Sequence, residues 1–414
     1  MHEPSLPDRS VDGYTGIVEP GQIRRLRAQA KTLERHRVLH INSTATGGGV
    51  AELLRSIVPL CNDLGVDTNW CVMDATDEFF DVTKAMHNGL QGSGPPLTEA
   101  MKHTYRTVND RNASDLDDEY SVVIVHDPQP LGMLEHIRQQ IPEAAIVWRC
   151  HIDLTDPIPE YLSFATSFLS NVDRTIFSRS AYASALEAEL TNTVIHPAID
   201  PLTEKNRRLD GETISGEFDR FDPLNFEKPV VAQVSRFDPW KDQFGTLEAY
   251  RLAKQDVADL QLALSGGMAG DDPEGLECYE RVAAEAAEDP DVHVLTDLPD
   301  RSVNALQRCS DVVIQKSLRE GFGLVVAEAL WKRTPVIGSN VGGIPLQIVD
   351  GRTGYLVDRE DTTAVANHAV ALLSDDDRRR RFGEDAREHI RERFLLPRQV
   401  IDLFDVVIDL TEPD

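Results

Sequence analysis

The stretch REGFGLVVAE, residues 319–328, sets two carboxylates eight positions apart around a Gly-Phe-Gly turn. Such glycines free the amides of Gly321, Phe322, Gly323 and Leu324 to donate to hydroxyls, as the first turn of a helix offers them. Glu320 would accept from a sugar hydroxyl at the same place. Glu328, a little over two helical turns on, would accept from both hydroxyls of a ribose. Capping by an acidic residue at the positive end of a helix accounts for Glu320, but not for the glycines or for the basic pair in SRFDPWKD. That pair, Arg236 and Lys241, combines a planar fork with a compact ammonium, and both suit diphosphate oxygens. Its competing use is surface pairing with Asp238 and Asp242. His151 ends the run IVWRC and is suited to donate to a substrate hydroxyl or to move a proton, unless it is a satisfied structural histidine. His126 is a weaker candidate. Asp127 and Asp153 are candidates to bind sugar hydroxyls. Gly47, Gly48 and Gly49 either bring amides to a phosphate or sugar or make a tight turn.

Two carboxylates also invite a hydrolytic reading, which the spacing opposes. A retaining glycosidase needs its pair about 5 Å apart, whereas helical rise puts Glu320 and Glu328 roughly 12 Å apart. The dinucleotide pattern GxGxxG fails as well, because its third glycine falls at Glu52. Asp74 remains as a possible ribose partner for that reading.

These residues need a scaffold, and the chain supplies alternating short β-branched runs and longer amphipathic stretches. The patterns predict strands at 37–43, 68–75, 121–127, 145–151 and 174–178, with helices over 50–65 and 131–141. A polar, charge-rich stretch around 203–228 then reads as a linker. A second strand series follows at 229–235, 260–266, 292–296, 311–317 and 334–339. Strand–helix alternation of this kind predicts an α/β fold of two doubly wound, Rossmann-like parallel sheets facing across a cleft. The domains are expected at 1–205 and 206–390, with a break at Pro397 inside the terminal segment. In open parallel sheets ligands bind beyond the carboxyl ends of the strands. The candidates named above lie at the carboxyl ends of strands or on the segments that follow them.

Composition narrows the classes further. The chain has 414 residues, 41% of them hydrophobic, and no apolar run approaches the length of a membrane helix. Its N-terminus, MHEPSLPDRSVDGY, lacks the apolar core of a secretory signal, so a cytoplasmic protein is expected. Five scattered cysteines with no CxxC pair predict reduced core thiols, with neither a disulfide framework nor a structural metal. Seventy acidic against 42 basic residues give a net charge of −28, which opposes nucleic acid and anionic membrane surfaces as partners. Only nine of the bases are lysine. Acidic excess with arginine in place of lysine looks like adaptation to a salt-rich cytoplasm, and it makes each lysine more informative.

In this order along the chain, the glycine loop 47–49, His151, Arg236, Lys241 and the Glu320–Glu328 pair resemble the retaining glycosyltransferases of the GT-B class, in its glycogen-synthase-like and sucrose-synthase-like group. A narrower likeness runs from about residue 35 to the C-terminus. HINSTATGGGVAELL, EFFDVTKAMHNGLQG, VHDPQPLG, WRCHIDLTDP, QVSRFDPWKD and GSNVGGIPLQIVDGRTGYLV together are similar to the trehalose glycosyltransferring synthases. The acidic surface and the first 15 residues depart from that pattern. The resemblance implies transfer of glucose from a nucleoside-diphosphate glucose to free glucose, giving α,α-trehalose reversibly, with no cofactor and no bound metal.

It further implies roles residue by residue. The amides of Gly321, Phe322, Gly323 and Leu324, with Glu320, would hold the transferred glucose. Arg236 and Lys241 would stabilise the departing diphosphate, and Glu328 would bind ribose. His151 would hydrogen-bond the donor glucose. The main chain near Leu298 would meet the base, Gly266 the nucleotide side, and Gly48 and Gly49 both sugars. A homodimer is implied, as is a C-terminal helix, within 391–414, that returns to the first domain. Three other readings compete: a phosphorylase or a transferase making another glucoside, a nicotinamide oxidoreductase, and an inactive sugar-binding protein.

Overall fold

In the computed structural model, residues 1–412 are described apart from 115, 117, 118, 187–189 and 268–272. The chain forms two compact units, Met1–Ala198 with Leu396–Asp414, and Ile199–Leu395. The first unit holds strands β1 (Arg37–Asn42), β2 (Asp67–Val72), β3 (Val122–His126), β4 (Ala145–Cys150), β5 (Arg174–Phe177) and β6 (Asn192–Val194), in the order β2-β1-β3-β4-β5-β6. The second holds β7 (Val230–Val234), β8 (Gln261–Gly266), β9 (Val292–Thr296), β10 (Val312–Gln315), β11 (Val336–Ser339) and β12 (Gly354–Val357), in the order β12-β11-β10-β7-β8-β9. Each pairing within both sheets is parallel.

Near-continuous apolar strands signal sheets covered on both faces, and the cores bear this out. Successive residues of β7 divide between two clusters: Val231 joins one, while Val230, Ala232 and Val234 join the other. In the first sheet Leu39, Ile41, Val123, Val125, Ile146 and Trp148 share one core. Their alternates His40, Asn42, Ile124, His126, Val147 and Arg149 therefore line the opposite face.

Each sheet has one place where the winding reverses, between β1 and β3 in the first unit and between β7 and β10 in the second. These are the positions at which doubly wound sheets accept ligands. The segments after β1 and β3 carry Gly47–Gly49 and Asp127. Those after β7 and β10 carry Arg236–Lys241 and Glu320.

Several details differ from the sequence expectation. β6 and β12 are short strands, three and four residues long, with too little apolar periodicity to stand out. The 203–228 stretch is no linker. Leu209, Phe221 and Leu224 are buried with Val230 and Ala263, and buried Glu217 is paired with Arg301 at 2.6 Å. The change of unit falls at 198/199 rather than 205/206, because Asn304 donates to the carbonyls of Glu204 and Arg207 at 2.9 Å and ties that segment to the second unit. At the other end the helix Asp376–Arg393 stops before Pro397, and a new helix, Leu396–Thr411, takes that proline in its first turn, where the missing N–H costs nothing. All five cysteines are free.

Candidate active site

In the second unit the loop after β10 turns through Glu320 and Gly321 to a helix starting at Leu324. Gly323, at φ 78, is its N-terminal flank and supplies no side-chain cap, and in the first turn Val326 N donates to the Gly323 carbonyl at 2.9 Å. The loop is clamped from the segment after β11. A Cβ on Gly342, at φ 55, would lie 1.7 Å from the Glu320 carbonyl oxygen, and one on Gly343 would lie 2.7 Å from the Phe322 Cα. Gly343 donates to the Gly321 carbonyl at 3.0 Å, and Gln347 to that of Phe322 at 2.6 Å. The Phe322 ring is buried and tilted against Phe394, with centroids 5.8 Å apart, so this residue offers a ligand only its main chain.

The Glu320 carboxylate gathers its neighbours on one oxygen. Its Oε2 accepts from Lys241 Nζ at 2.7 Å, Ser317 Oγ at 3.2 Å and Gln315 Nε2 at 3.4 Å. Lys241 therefore pairs with Glu320 rather than with Asp242. Asp242 instead pairs with buried Lys316 and caps the helix Gln243–Ala253 through Gly245 N at 3.0 Å. An ammonium has three N–H donors, so the Glu320 contact leaves Lys241 able to meet a further anion. Arg236 is half exposed, with Asp238 no closer than 3.5 Å. The turn between them is held from within: Gln243 Nε2 donates to the Arg236 carbonyl at 2.8 Å, and Gln233 Nε2 to that of Lys241 at 2.7 Å.

Glu328 is almost wholly buried on the helix Leu324–Trp331. Its Oε1 faces Lys205 Nζ at 3.7 Å, while its Oε2 has no hydrogen-bond partner among the described residues. A buried carboxylate oxygen without a donor is costly, so this atom is suited to a ligand donor such as a hydroxyl. Gly266 has a structural use of its own, since a Cβ there would come within 2.2 Å of the Ser235 carbonyl. Leu298 is half-buried against the cluster around Phe221.

In the first unit Gly47 turns at φ 84 and Gly48 flanks the helix Gly49–Asp63 without a side-chain cap. A Cβ on Gly47 or Gly48 would meet nothing within 4 Å, so only the backbone angle of Gly47 calls for glycine structurally. Asp127, at φ 62, accepts His151 N on Oδ1 at 2.7 Å. Burial raises its carboxyl from 3.8 to about 7, against the opposing pull of the His151 amide and Arg149. Arg149 is buried beside Asp127, Arg398 and Asp402, and burial first, then Arg398, lowers it to about 10. Asp153 caps its own turn by accepting Thr155 N at 2.9 Å. His151 Nε2 lies 3.1 Å from His126 Nδ1, and His126 Nε2 lies 2.9 Å from His40 Nδ1.

Within the second unit, Glu320, Lys241 and the GFGL turn therefore come together. Within the first, His151 and Asp127 adjoin, with Asp153 two positions on. Sequence reasoning missed Gln315, Ser317, Lys205, Arg149 and His40. The signals were faint: a cation inside the apolar run AIVWRC, a histidine in RVLHIN, and a lysine among so few.

Residues 40–184 match the family described as "Trehalose synthase, N-terminal domain", and residues 216–389 match "Glycosyl transferases group 1". A trehalose synthase of Thermococcus litoralis is 42% identical over 404 residues, which cover 96% of this chain and 97% of that one. This chain belongs to the trehalose synthase family. A trehalose phosphorylase of Pleurotus pulmonarius is 30% identical over 85% of this chain but only 54% of its own length. The fold is also that of a solved trehalose-6-phosphate synthase, OtsA, with TM-score 0.73, 14% identity and coverage of 91% and 99% of the two chains. The two sheets are thus those of the GT-B class, and the chain is a trehalose-related glycosyltransferase. Among the described residues no helix is long and apolar enough to cross a membrane.

Proposed function

We propose that the protein transfers glucose from a nucleoside-diphosphate glucose to free glucose, forming α,α-trehalose with retention at the anomeric carbon, and that it also runs in reverse. The Glu320–Lys241 pair, seated where the second sheet reverses its winding, supports this reading most. In the step, the bond from donor C1 to the β-phosphate oxygen breaks and a bond from C1 to the acceptor oxygen forms on the same face. The acceptor hydroxyl proton passes to the departing phosphate. Lys241 and Arg236 neutralise charge as it develops on the diphosphate, the kind of preorganised stabilisation that is often the largest part of catalysis. Glu320 and the amides of Gly321–Leu324 grip the transferred glucose, and Glu328 takes the ribose hydroxyls through its Oε2, which has no partner among the described residues.

His151 and Asp127 bind sugar hydroxyls from the first unit, joined by Asp153 and by the amides at Gly48 and Gly49. Gly266 and the main chain near Leu298 line the nucleotide side. The residues involved supply the charge neutralisation themselves, so no metal or other cofactor is called for. The protein would act as a homodimer in a salt-rich cytoplasm, with nucleic acid and membranes as poor partners for its −28 charge.

The phosphorylase relatives motivate a second reading, in which inorganic phosphate replaces the nucleotide and Glu328 loses its ribose. One experiment separates the two. The purified protein is incubated in molar salt with glucose and, in turn, UDP-, ADP- and GDP-glucose, and separately with trehalose and phosphate. Trehalose with stoichiometric nucleoside diphosphate supports the proposal. A sugar phosphate from the second mixture alone transfers the assignment to phosphorolysis.

A further inference from the structure

Three histidines cross the first sheet in one diagonal. His40 of β1 is level with Ile124 of β3, and His126 of β3 is level with Arg149 of β4. His126 stands two positions beyond Ile124, and His151 two beyond Arg149. Residues two apart share a face, and each step advances about 6.6 Å along a strand. Each ring therefore stands one pleat nearer the carboxyl edge than the ring on the neighbouring strand, and the row leads from a buried strand interior to the edge where ligands bind. The ring centroids are 5.2 and 5.4 Å apart, and the nitrogens meet at 2.9 and 3.1 Å.

A nitrogen–nitrogen contact that short holds one proton, because two lone pairs or two N–H groups would repel. The rings are neutral: burial first of all pulls His40 down to about 3 and takes His126 and His151 well below their ordinary value, and Arg149 presses on all three. Three neutral rings carry three ring protons, and the two contacts take two of them. The third sits either on His40 Nε2 or on His151 Nδ1, and its position sets the direction of the whole row. His40 Nε2 is buried with no hydrogen-bond partner among the described residues, and a buried N–H without an acceptor is the rarest of such defects. His151, by contrast, is only half-buried.

We propose that His40 and His126 are positioning residues that hold His151 as the tautomer protonated on Nδ1, so that Nδ1–H is presented as a fixed donor to a sugar hydroxyl. His40 Nδ1–H donates to His126 Nε2, and His126 Nδ1–H donates to His151 Nε2. Nδ1 of His151 then carries its proton, and the one ring lone pair that could make it a proton acceptor, on Nε2, is taken by His126 Nδ1–H. His151 serves as a hydrogen-bond donor, and the acceptor hydroxyl's proton leaves by another route. The sugar as ligand rests on the function proposed above; the proton arrangement does not.

The test is long-range proton–nitrogen NMR on the whole chain labelled with ¹⁵N-histidine, His151 being assigned by the signal lost in His151→Asn. The expected spectrum shows His151 protonated on Nδ1 and bare on Nε2. In His40→Leu the row loses its first donor, and His151 shifts to a mixture of tautomers. In His40→Asn, whose amide N–H replaces Nδ1–H, the original pattern returns. Under the proposed activity kcat/KM falls about three- to ten-fold in His40→Leu, as for one neutral hydrogen bond, and recovers in His40→Asn. A His151 proton on Nε2 overturns the inference, as does a tautomer unchanged in His40→Leu. The wild-type spectrum decides even if His40→Leu fails to fold. If the enzyme transfers no glucose while the Nδ1 proton is found, only the assigned activity fails.

Discussion

Gly342→Ala separates positioning from stability at the Glu320 loop. The added Cβ would start 1.7 Å from the Glu320 carbonyl oxygen, where a contact under 3.0 Å is sterically forbidden, so the loop must retreat by at least 1.3 Å. Glu320 moves with it, taking its contacts to Lys241 and Ser317. Misplacing a reacting group by about 1 Å costs on the order of 10²-fold in rate, so kcat for glucosyl transfer should drop at least that far. A second cost is conformational, because alanine at φ 55 adopts the left-handed region, at about 1–2 kcal/mol. Gly351→Ala isolates that second cost. Gly351 has φ 70 and open space around its missing Cβ, so this variant carries the strain without the collision. For a unit of this size about 1–2 kcal/mol lowers the melting temperature by about 2–8 °C. Both variants should show that shift, with Gly342→Ala the lower, and only Gly342→Ala should lose turnover. Released nucleoside diphosphate and a thermal melt read the two quantities. Equal kcat in the two variants would refute the claim that this glycine holds Glu320 in place.

Three further outcomes follow from the site. Lys241→Met keeps the side-chain length and removes the charge; kcat should fall about 10²–10³-fold in single-turnover assays, and a loss below ten-fold would remove Lys241 from diphosphate stabilisation. Glu328→Gln should raise KM for the nucleotide donor about 10- to 100-fold, the range for hydrogen bonds to a charged group, with kcat within about three-fold; an unchanged donor KM would sink the ribose role. Asp127→Asn keeps the Oδ1 that accepts from His151 N and tolerates the left-handed backbone, but it cannot ionise. Because burial raises the Asp127 carboxyl from 3.8 to about 7, the folded state binds a proton that the unfolded state has released between those values. Stability relative to Asp127→Asn should therefore decline as pH rises from about 4 to about 7 and level off above. Denaturant midpoints of both proteins across that range give the difference, and a flat difference would contradict the shift.

Much of this architecture is written locally. The runs VVIV of β3 and VVA of β7 are apolar at successive positions, as strands covered on both faces are, so such runs alternating with helical stretches were enough for two parallel sheets. The EGFG turn and the bases of SRFDPWK were legible for a similar reason, since glycine and charge are visible one residue at a time. The 203–228 stretch misled because its buried apolar residues, Leu209, Phe221 and Leu224, follow no period. They are buried through contacts with β7 and the helix Asp300–Cys309, which sequence distance hides. Sequence proximity offered Asp238 and Asp242 as competing partners for Lys241, yet parallel pairing of β7 with β10 delivers Glu320 to it from 79 positions away. His40 lies among apolar residues in VLHI with no local signal of a role. Only the register of β1, β3 and β4 sets it in line with His126 and His151. Sequence by itself therefore determined the elements and the chemical groups at their ends, because both depend on short-range steric and polar preferences. The tertiary structure alone decided which charge meets which and where the ring protons reside, because those depend on strand order and register, and these are fixed by packing between distant segments.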